Sequence, residues 1–248
     1  MNAPAIYIRD LDFIYPGQSD LCLSQLNLRI EAGERFGLFG PNGAGKTTLM
    51  HLMTGLLNYT KGTIQLFGVE IKNHERSTNK LFGFVPQDFS FYQELSPVEN
   101  LEFFGAWSGL NRHDIKKRSS ELLEILGLTD ACHQPVRKFS GGMKRRVNLA
   151  IAVMPDPSIL FLDEPTVGVD VQTRHAMIHY LKSLNERGTT LVYTSHQLSE
   201  AEELCERIAL IDEGKIIAHD DLNKLLASHQ QDGLEGLFLS LTGKKYRD

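Results

Sequence analysis

Cysteine is scarce. The 248 residues hold three, Cys22, Cys132 and Cys205, too widely separated and odd in number for a disulfide framework or a zinc spacing. They read as buried thiols in a reducing compartment, which makes the sequon-like Asn58-Tyr59-Thr60 a chance match. A basic surplus is also missing. The formal net charge of -5 argues against a nucleic-acid partner, because such domains carry an excess of Lys and Arg. No run approaches the roughly 20 apolar residues that a membrane helix needs. The N-terminal stretch "MNAPAIYIRDLDFIYPG" is broken by charge too early to be a signal peptide. The expectation is a soluble chain that would reach a membrane only through a partner. Internal repeats and low-complexity linkers are absent too. With 42% hydrophobic and 23% charged residues, the length suits one large packed domain or two small ones.

What is present alternates. "AIYIRDLDFIY" and "LSQLNLRIEAGE" interleave apolar and polar residues and predict strands, with a turn at Ala32-Gly33-Glu34. "RFGLFG" is a short apolar strand followed by a glycine-rich turn. After it, Leu49, Leu52 and Met53 recur at helical spacing in "KTTLMHLMTGLL". "GTIQLFG" and "KLFGFVPQ" complete a β-rich region. The middle is helical. Ser96-Pro97-Val98-Glu99 is a capping box with proline at the first helical position. "HDIKKRSSELLEILG" stops at Gly127, and a helix from "FSGGMKRRVNLAIAVM" halts before Pro155. Then "SILFL" predicts a strand, "VQTRHAMIHYLKSLNERG" a helix, "TTLVYTS" a strand and "QLSEAEELCE" a helix. "RIALIDEGKIIAHD" predicts a hairpin around Glu213-Gly214. Strands alternating with helices imply an α/β fold with a mainly parallel sheet covered on both faces, into which the helical middle is inserted.

Residues 40 to 48, "GPNGAGKTT", match G-x-x-x-x-G-K-[ST] between a strand and a helix, the context that motif requires. Gly40, Pro41, Asn42, Gly43, Ala44 and Gly45 would turn backbone N–H groups onto phosphate oxygens, helped by the helix N-terminus behind them. Lys46 would reach the β- and γ-phosphates, Thr47 would ligate Mg²⁺, and Thr48 completes the loop. Downstream, the apolar strand in "SILFLDEP" delivers Asp163 to its C-terminal edge, where a magnesium-holding carboxylate belongs. Glu164 next to it is placed to orient or deprotonate a water, the plainer alternative being a capping or solvent-facing acid. Together they indicate nucleotide hydrolysis without saying which kind.

Far from this loop, "FSGGMKRR" at 139 to 146 reads as a helix start. Ser140 is a good N-cap, and Met143, Val147, Ala150 and Ile151 fall on one face. Gly141 and Gly142 weaken a first turn by about 1 kcal/mol each relative to alanine, yet they bare backbone N–H groups for an anion. Lys144, Arg145 and Arg146 read as a solvated stripe or as phosphate-steering charge, with a nucleic-acid patch the weaker alternative.

With Tyr15 in "FIYPG", Gln87 in "FVPQD", "VGVD" at 167 to 170 and His196 in "YTSHQ", these ordered motifs span nearly the whole chain. The sequence thereby resembles the nucleotide-binding subunit of an ABC transporter. The resemblance implies a P-loop NTPase core with an N-terminal antiparallel β subdomain over 1–88 and 156–218. It also implies an inserted α-helical subdomain over 89–155 and a C-terminal helical tail over 219–248. It implies a head-to-tail dimer holding ATP and Mg²⁺ between the P-loop of one copy and the SGG turn of the other. In that arrangement Tyr15 would stack on adenine, Gln87 would touch Mg²⁺ and the attacking water, and His196 would hydrogen-bond the γ-phosphate. Ser140, Gly141, Gly142 and Asp170 would act across the dimer. Phe139 stands where leucine is usual, Met143-Lys144 where glutamine is usual, and "VGVD" where Ser/Ala-Leu-Asp is commoner. None removes a phosphate donor, though dimer affinity could change. A separate transmembrane permease would dock on the helical insertion and "DFSFYQELSPVENLEFFG", with Phe89, Phe91 and Tyr92 either forming its socket or lying in the core. The chain would then be cytoplasmic and peripheral on the inner face of the membrane. The resemblance is to the drug, lipid or polysaccharide exporter group. An importer's energy subunit and a soluble ABC-type ATPase are the alternatives.

Overall fold

The computed structural model describes residues 3–73, 78, 80–195 and 198–243. Its strands fall into two sheets. β1 (Ile6–Phe13), β2 (Leu23–Ile30), β4 (Lys61–Leu66) and β5 (Val69–Glu70) form an antiparallel sheet in the order β2-β1-β4-β5. β3 (Arg35–Phe39), β6 (Phe82–Val85), β7 (Ile159–Asp163), β8 (Thr190–Thr194), β9 (Arg207–Asp212) and β10 (Lys215–Asp221) form the second, ordered β10-β9-β3-β8-β7-β6. All its pairings are parallel except the β9–β10 hairpin, whose turn at Glu213-Gly214 has both residues in left-handed backbone.

The β-rich region therefore divides. β4 joins the antiparallel sheet, whereas β6 pairs with β7 at the edge of the parallel one. Period-two alternation separates the two faces of the parallel sheet. Phe36, Leu38, Phe161, Val192 and Ile211 pack with α1 (Lys46–Met53) and the antiparallel sheet. Leu160, Leu162, Leu191, Tyr193 and Leu210 pack on the opposite face, in the same core as the helices. Burial on both faces explains the nearly unbroken apolar runs of β7 and β8, each large side chain contributing about 1.5–3 kcal/mol.

Helices α2 (Pro97–Trp107), α3 (Arg112–Ile125) and α4 (Gly141–Val153) lie in sequence between β6 and β7. The capping box of α2 is present: the Glu99 amide donates to the Ser96 hydroxyl, and the Ser96 amide donates back to the Glu99 carboxylate. Asn111 caps α3 in the same way, accepting from the Asp114 amide. Four further helices follow: α5 (Val171–Glu186), α6 (Leu198–Leu204), α7 (Leu222–Ser228) and α8 (Leu234–Thr242). α6 is shorter than its sequence pattern because the Glu206 amide donates to Arg35 O at 2.9 Å, committing the chain to β9. Among the described residues, no helix is long and apolar enough to cross a membrane.

Candidate active site

Four adjacent parallel strands, β3, β8, β7 and β6, end at one edge of the sheet. Their registers pair Leu38 with Thr194, Thr194 with Asp163, and Leu162 with Val85. The loops after them thus carry residues 40–45, 195, 164 and 87 to one crevice, the side of an open α/β sheet that binds ligands.

After β3 the chain turns tightly into α1. A Cβ on Gly40 would lie 2.0 Å from Ile211 O, so only glycine lets the loop start against the end of β9. Gly45, with φ of 107°, sits in the left-handed region where glycine is free of strain. No side chain caps α1, which leaves its first amides open to an anion. Pro41 and Ala44 are tied by the Ala44 amide donating to Pro41 O at 3.1 Å, while Asn42 and Gly43 are exposed. Lys46 is buried and its Nζ donates to Gly40 O at 2.7 Å and Pro41 O at 3.1 Å. Burial pushes its pKa down, and the carboxylates of Glu164 and Asp163 oppose that shift. Thr47 is half-buried in the first turn. Thr48 meets Tyr15, whose hydroxyl lies 2.8 Å from Thr48 Oγ1 while its ring packs edge-on against Phe13.

Asp163 closes β7 and is 1% exposed. Thr194 Oγ1 donates to its Oδ1 at 2.6 Å, but Oδ2 is buried without a hydrogen-bond partner. A buried orphan carboxylate oxygen calls for a positive partner. The side-chain oxygens of Thr47, Gln87 and Asp163 are the hard donors that Mg²⁺ takes, rather than those of a soft metal. The described residues contain no cluster of three or more His, Cys, Asp or Glu able to hold a metal.

Glu164 is 8% exposed and has φ of 49°, a left-handed conformation that costs a non-glycine residue roughly 1–2 kcal/mol. Its amide is held by Thr194, donating to the carbonyl and Oγ1 at 3.2 Å each. Gln87 Nε2 donates to Glu164 Oε2 at 3.0 Å. The two therefore meet across the crevice, although they come from different strands. His196 lies outside the described residues.

The SGG turn stands apart from the P-loop. Ser140 caps α4, accepting from the Met143 amide at 3.3 Å. A Cβ on Gly141 would meet only Gly168 O, at 3.8 Å, and one on Gly142 would lie 3.8 Å from Asp170 Oδ2. The glycine amides are thus bordered by the loop at 168–170. Asp170 in turn caps α5, and the hydrogen bond from the Thr173 amide is the main reason its pKa lies below the usual value. Phe139, the departure from leucine, is buried in the helical core, and Met143 packs against that core.

The basic run corrects the sequence reading. Arg145 is buried, donating to Gln87 O, to Pro86 O at 3.5 Å and to Val167 O at 3.4 Å, with Phe89 against its guanidinium. Arg146 donates to Leu126 O and Gly127 O, closing the C-terminus of α3. These arginines fasten backbone carbonyls that helix ends and loops leave unpaired, which a count of consecutive charges cannot reveal. Asn148 completes the tie, its Oδ1 accepting from the Ser90 amide at 3.2 Å. Of the three aromatics flagged after Gln87, Phe89 and Tyr92 are exposed and Phe91 packs against the helical core. The exposed aromatic surface continues onto α2 through Phe103 and Trp107, the latter 82% exposed. A separate cavity of about 1000 Å³ between α2 and α3 contains none of the candidate residues.

The sequence pattern of ABC transporters matches residues 23–167, more than half the chain. The chain belongs to the ABC transporter family. Among curated ABC relatives, it is 44% identical over 193 residues to the linearmycin resistance ATP-binding protein of Bacillus subtilis, covering 78% of this chain and 62% of that protein. A Nod factor export ATP-binding protein I from Cupriavidus metallidurans is 40% identical over 206 residues, 83% of this chain and 68% of the relative. The solved ATP-binding subunit of an ABC transporter shares the fold with a TM-score of 0.88 and 26% identity, over 96% of this chain and 99% of that one. A dimeric ATP-binding cassette in a post-hydrolysis state with ADP and phosphate matches at a TM-score of 0.79 and 26% identity, over 88% and 98%. The expected ABC architecture of a mainly parallel α/β sheet, an antiparallel β sheet and added helices is the one observed.

Proposed function

We propose that this chain is the ATP-hydrolysing, energy-coupling subunit of an exporter, working as a dimer around two ATP and driving a separate transmembrane permease. The reaction is ATP and water to ADP and phosphate. The observation that carries it is the Glu164 carboxylate, held in left-handed backbone with Gln87 on one oxygen and electrostatically coupled to Lys46. An acid kept there at a backbone cost is better explained by work on a water than by capping. The export-linked names of the two relatives support the direction of transport. The dimer captured with ADP and phosphate supports hydrolysis between two copies.

In this reading Lys46 exchanges its loop carbonyls for β- and γ-phosphate oxygens, and the open amides of α1 receive the rest of the anion. Thr47, Asp163 and Gln87 would hold Mg²⁺, which when bound supplies positive charge to the phosphates. Tyr15, placed beside Thr48, would pack on the adenine. Glu164 accepts the hydrogen bond, and then the proton, of a water whose position Gln87 shares. His196 would donate to the γ-phosphate. Ser140, Gly141, Gly142 and Asp170 would serve the partner's ATP, completing each site only when two copies close. The exposed aromatics from Phe89 to Trp107 are where the permease would dock, placing the chain on the inner face of the membrane. Glu164→Gln tests the core claim. It should bind ATP as the wild type does, while steady-state phosphate release falls by about 10²–10⁴-fold; turnover at the wild-type rate would overturn the assignment.

A further inference from the structure

Glu200 is an acid on a short surface-pattern helix, yet it is 2% exposed. Three hydroxyls converge on its Oε2: Thr166 Oγ1 at 2.7 Å, Tyr193 OH at 2.6 Å and Ser195 Oγ at 3.1 Å. Its other oxygen lies 3.7 Å from Arg174 NH1 on α5. The partners come from separate elements. Thr166 follows Glu164 by two residues in the loop after β7. Tyr193 lies in β8, and Ser195 is the last described residue before His196 in the chain. Arg174 sits one turn beyond Asp170, whose carbonyl accepts the Arg174 amide at 2.9 Å. Burial, then the Glu200 charge, pushes the Tyr193 hydroxyl's pKa well up, so that hydroxyl remains a donor.

A buried carboxylate is costly unless hydrogen bonds and an opposite charge compensate it. Here three hydroxyls serve Oε2, while Oε1 makes no hydrogen bond and faces Arg174 as an ion pair. Packing alone would be served as well by leucine or methionine. What Glu200 provides instead is a fixed distance between three segments. It binds the loop after β7, which holds Glu164, to the end of β8, and both to the helix that begins with Asp170. Resting on the hydrolysis reading above, we infer that Glu200 is a positioning residue for catalysis: its carboxylate cross-braces the loop that carries Glu164, the end of β8 at Ser195 and the helix that Asp170 caps, so that they move as one unit. It touches no nucleotide itself.

Glu200→Ala removes the brace, and Glu200→Gln keeps the shape and an acceptor oxygen but turns an NH₂ toward Arg174 or the hydroxyls. Thr166→Val and Ser195→Ala each delete one arm without leaving a charge buried. The measurements are kcat and KM for ATP, binding of a non-hydrolysable ATP analogue, and thermal melting, with Glu164→Gln as reference. A misplacement of catalytic groups by an ångström costs up to about 10²-fold in rate. The expected result is a kcat at least about tenfold lower in Glu200→Ala. A smaller loss should follow in Glu200→Gln and Thr166→Val, with analogue affinity within about twofold of wild type throughout. Wild-type kcat in the folded Glu200→Gln, Thr166→Val and Ser195→Ala variants would overturn the inference. So would losses that appear in affinity and kcat alike. If Glu164→Gln hydrolyses ATP at the wild-type rate, the functional reading falls instead, which separates the two failures.

Discussion

Lys46 holds its ammonium against the loop that precedes it, donating to Gly40 O and Pro41 O while burial pulls its pKa down. A phosphate would compete with two neutral carbonyls for those N–H groups and would win because it adds full charge–charge attraction to the ammonium's hydrogen bonds. Lys46→Ala should therefore lose hydrogen bonding to a charged group, about 1.5–3 kcal/mol, or roughly 10- to 150-fold in affinity. Calorimetric titration with a non-hydrolysable ATP analogue measures it, with a melting curve to show that the variant is folded. An unchanged affinity would mean that the anion site is elsewhere. The places of Lys46 after a turn and of Asp163 and Glu164 at a strand end were legible in the sequence because glycine-rich turns and apolar strands are local signals. Arg145 and Glu200 were not, since their decisive partners lie far along the chain. Gln87 O is 58 residues from Arg145, and Thr166 is 34 from Glu200. A charge whose partner is remote in sequence looks like a charge that faces water.

Among the elements, α4 would link the two halves of the proposed chemistry. Its N-terminus offers the SGG amides, and two turns of the same helix carry Arg145 and Asn148 into the loop that presents Gln87. A shift of α4 would drag Gln87, and through it the contact with Glu164. Helices and most strands were readable from periodicity and caps, because those signals are local. Sheet membership was not: "KLFGFVPQ" reads like its β-rich neighbours, but β6 pairs with β7, whose sequence comes after the whole helical insertion. The coupling through α4 can be tested at the fork. Arg145→Ala strands the carbonyls of Gln87 and Val167 and leaves Pro86 O to Asn148 alone, which should cost about 2–4 kcal/mol in a urea titration. It should lower kcat for ATP more than it raises KM. Arg145→Lys should recover little of either, because an ammonium cannot reproduce the planar fork. A stable Arg145→Ala with wild-type turnover would show that α4 and the Gln87 loop are independent.

At the scale of the molecule, the proposed reaction calls on two surfaces of the chain, the P-loop and the SGG turn. The P-loop follows β3 at the strand ends, whereas Ser140 and the glycines after it open α4, bordered by residues 168–170 and by Thr173 of α5. In the proposed reaction the anion that these helix-start amides would receive is the ATP of a second copy. Composition says nothing of this; the expectation comes from the order of motifs, through resemblance. Ser140→Arg separates the two functions. Losing the N-cap costs about 1 kcal/mol of helix stability, a tolerable amount, while the long cation blocks an incoming nucleotide. In a Glu164→Gln background, which cannot clear ATP, light scattering should show ATP-dependent dimers. Adding Ser140→Arg should return the mass to that of the monomer while ATP binding to the P-loop persists. A dimer fraction unaffected by Ser140→Arg would place the interface on another face and detach the SGG turn from the reaction.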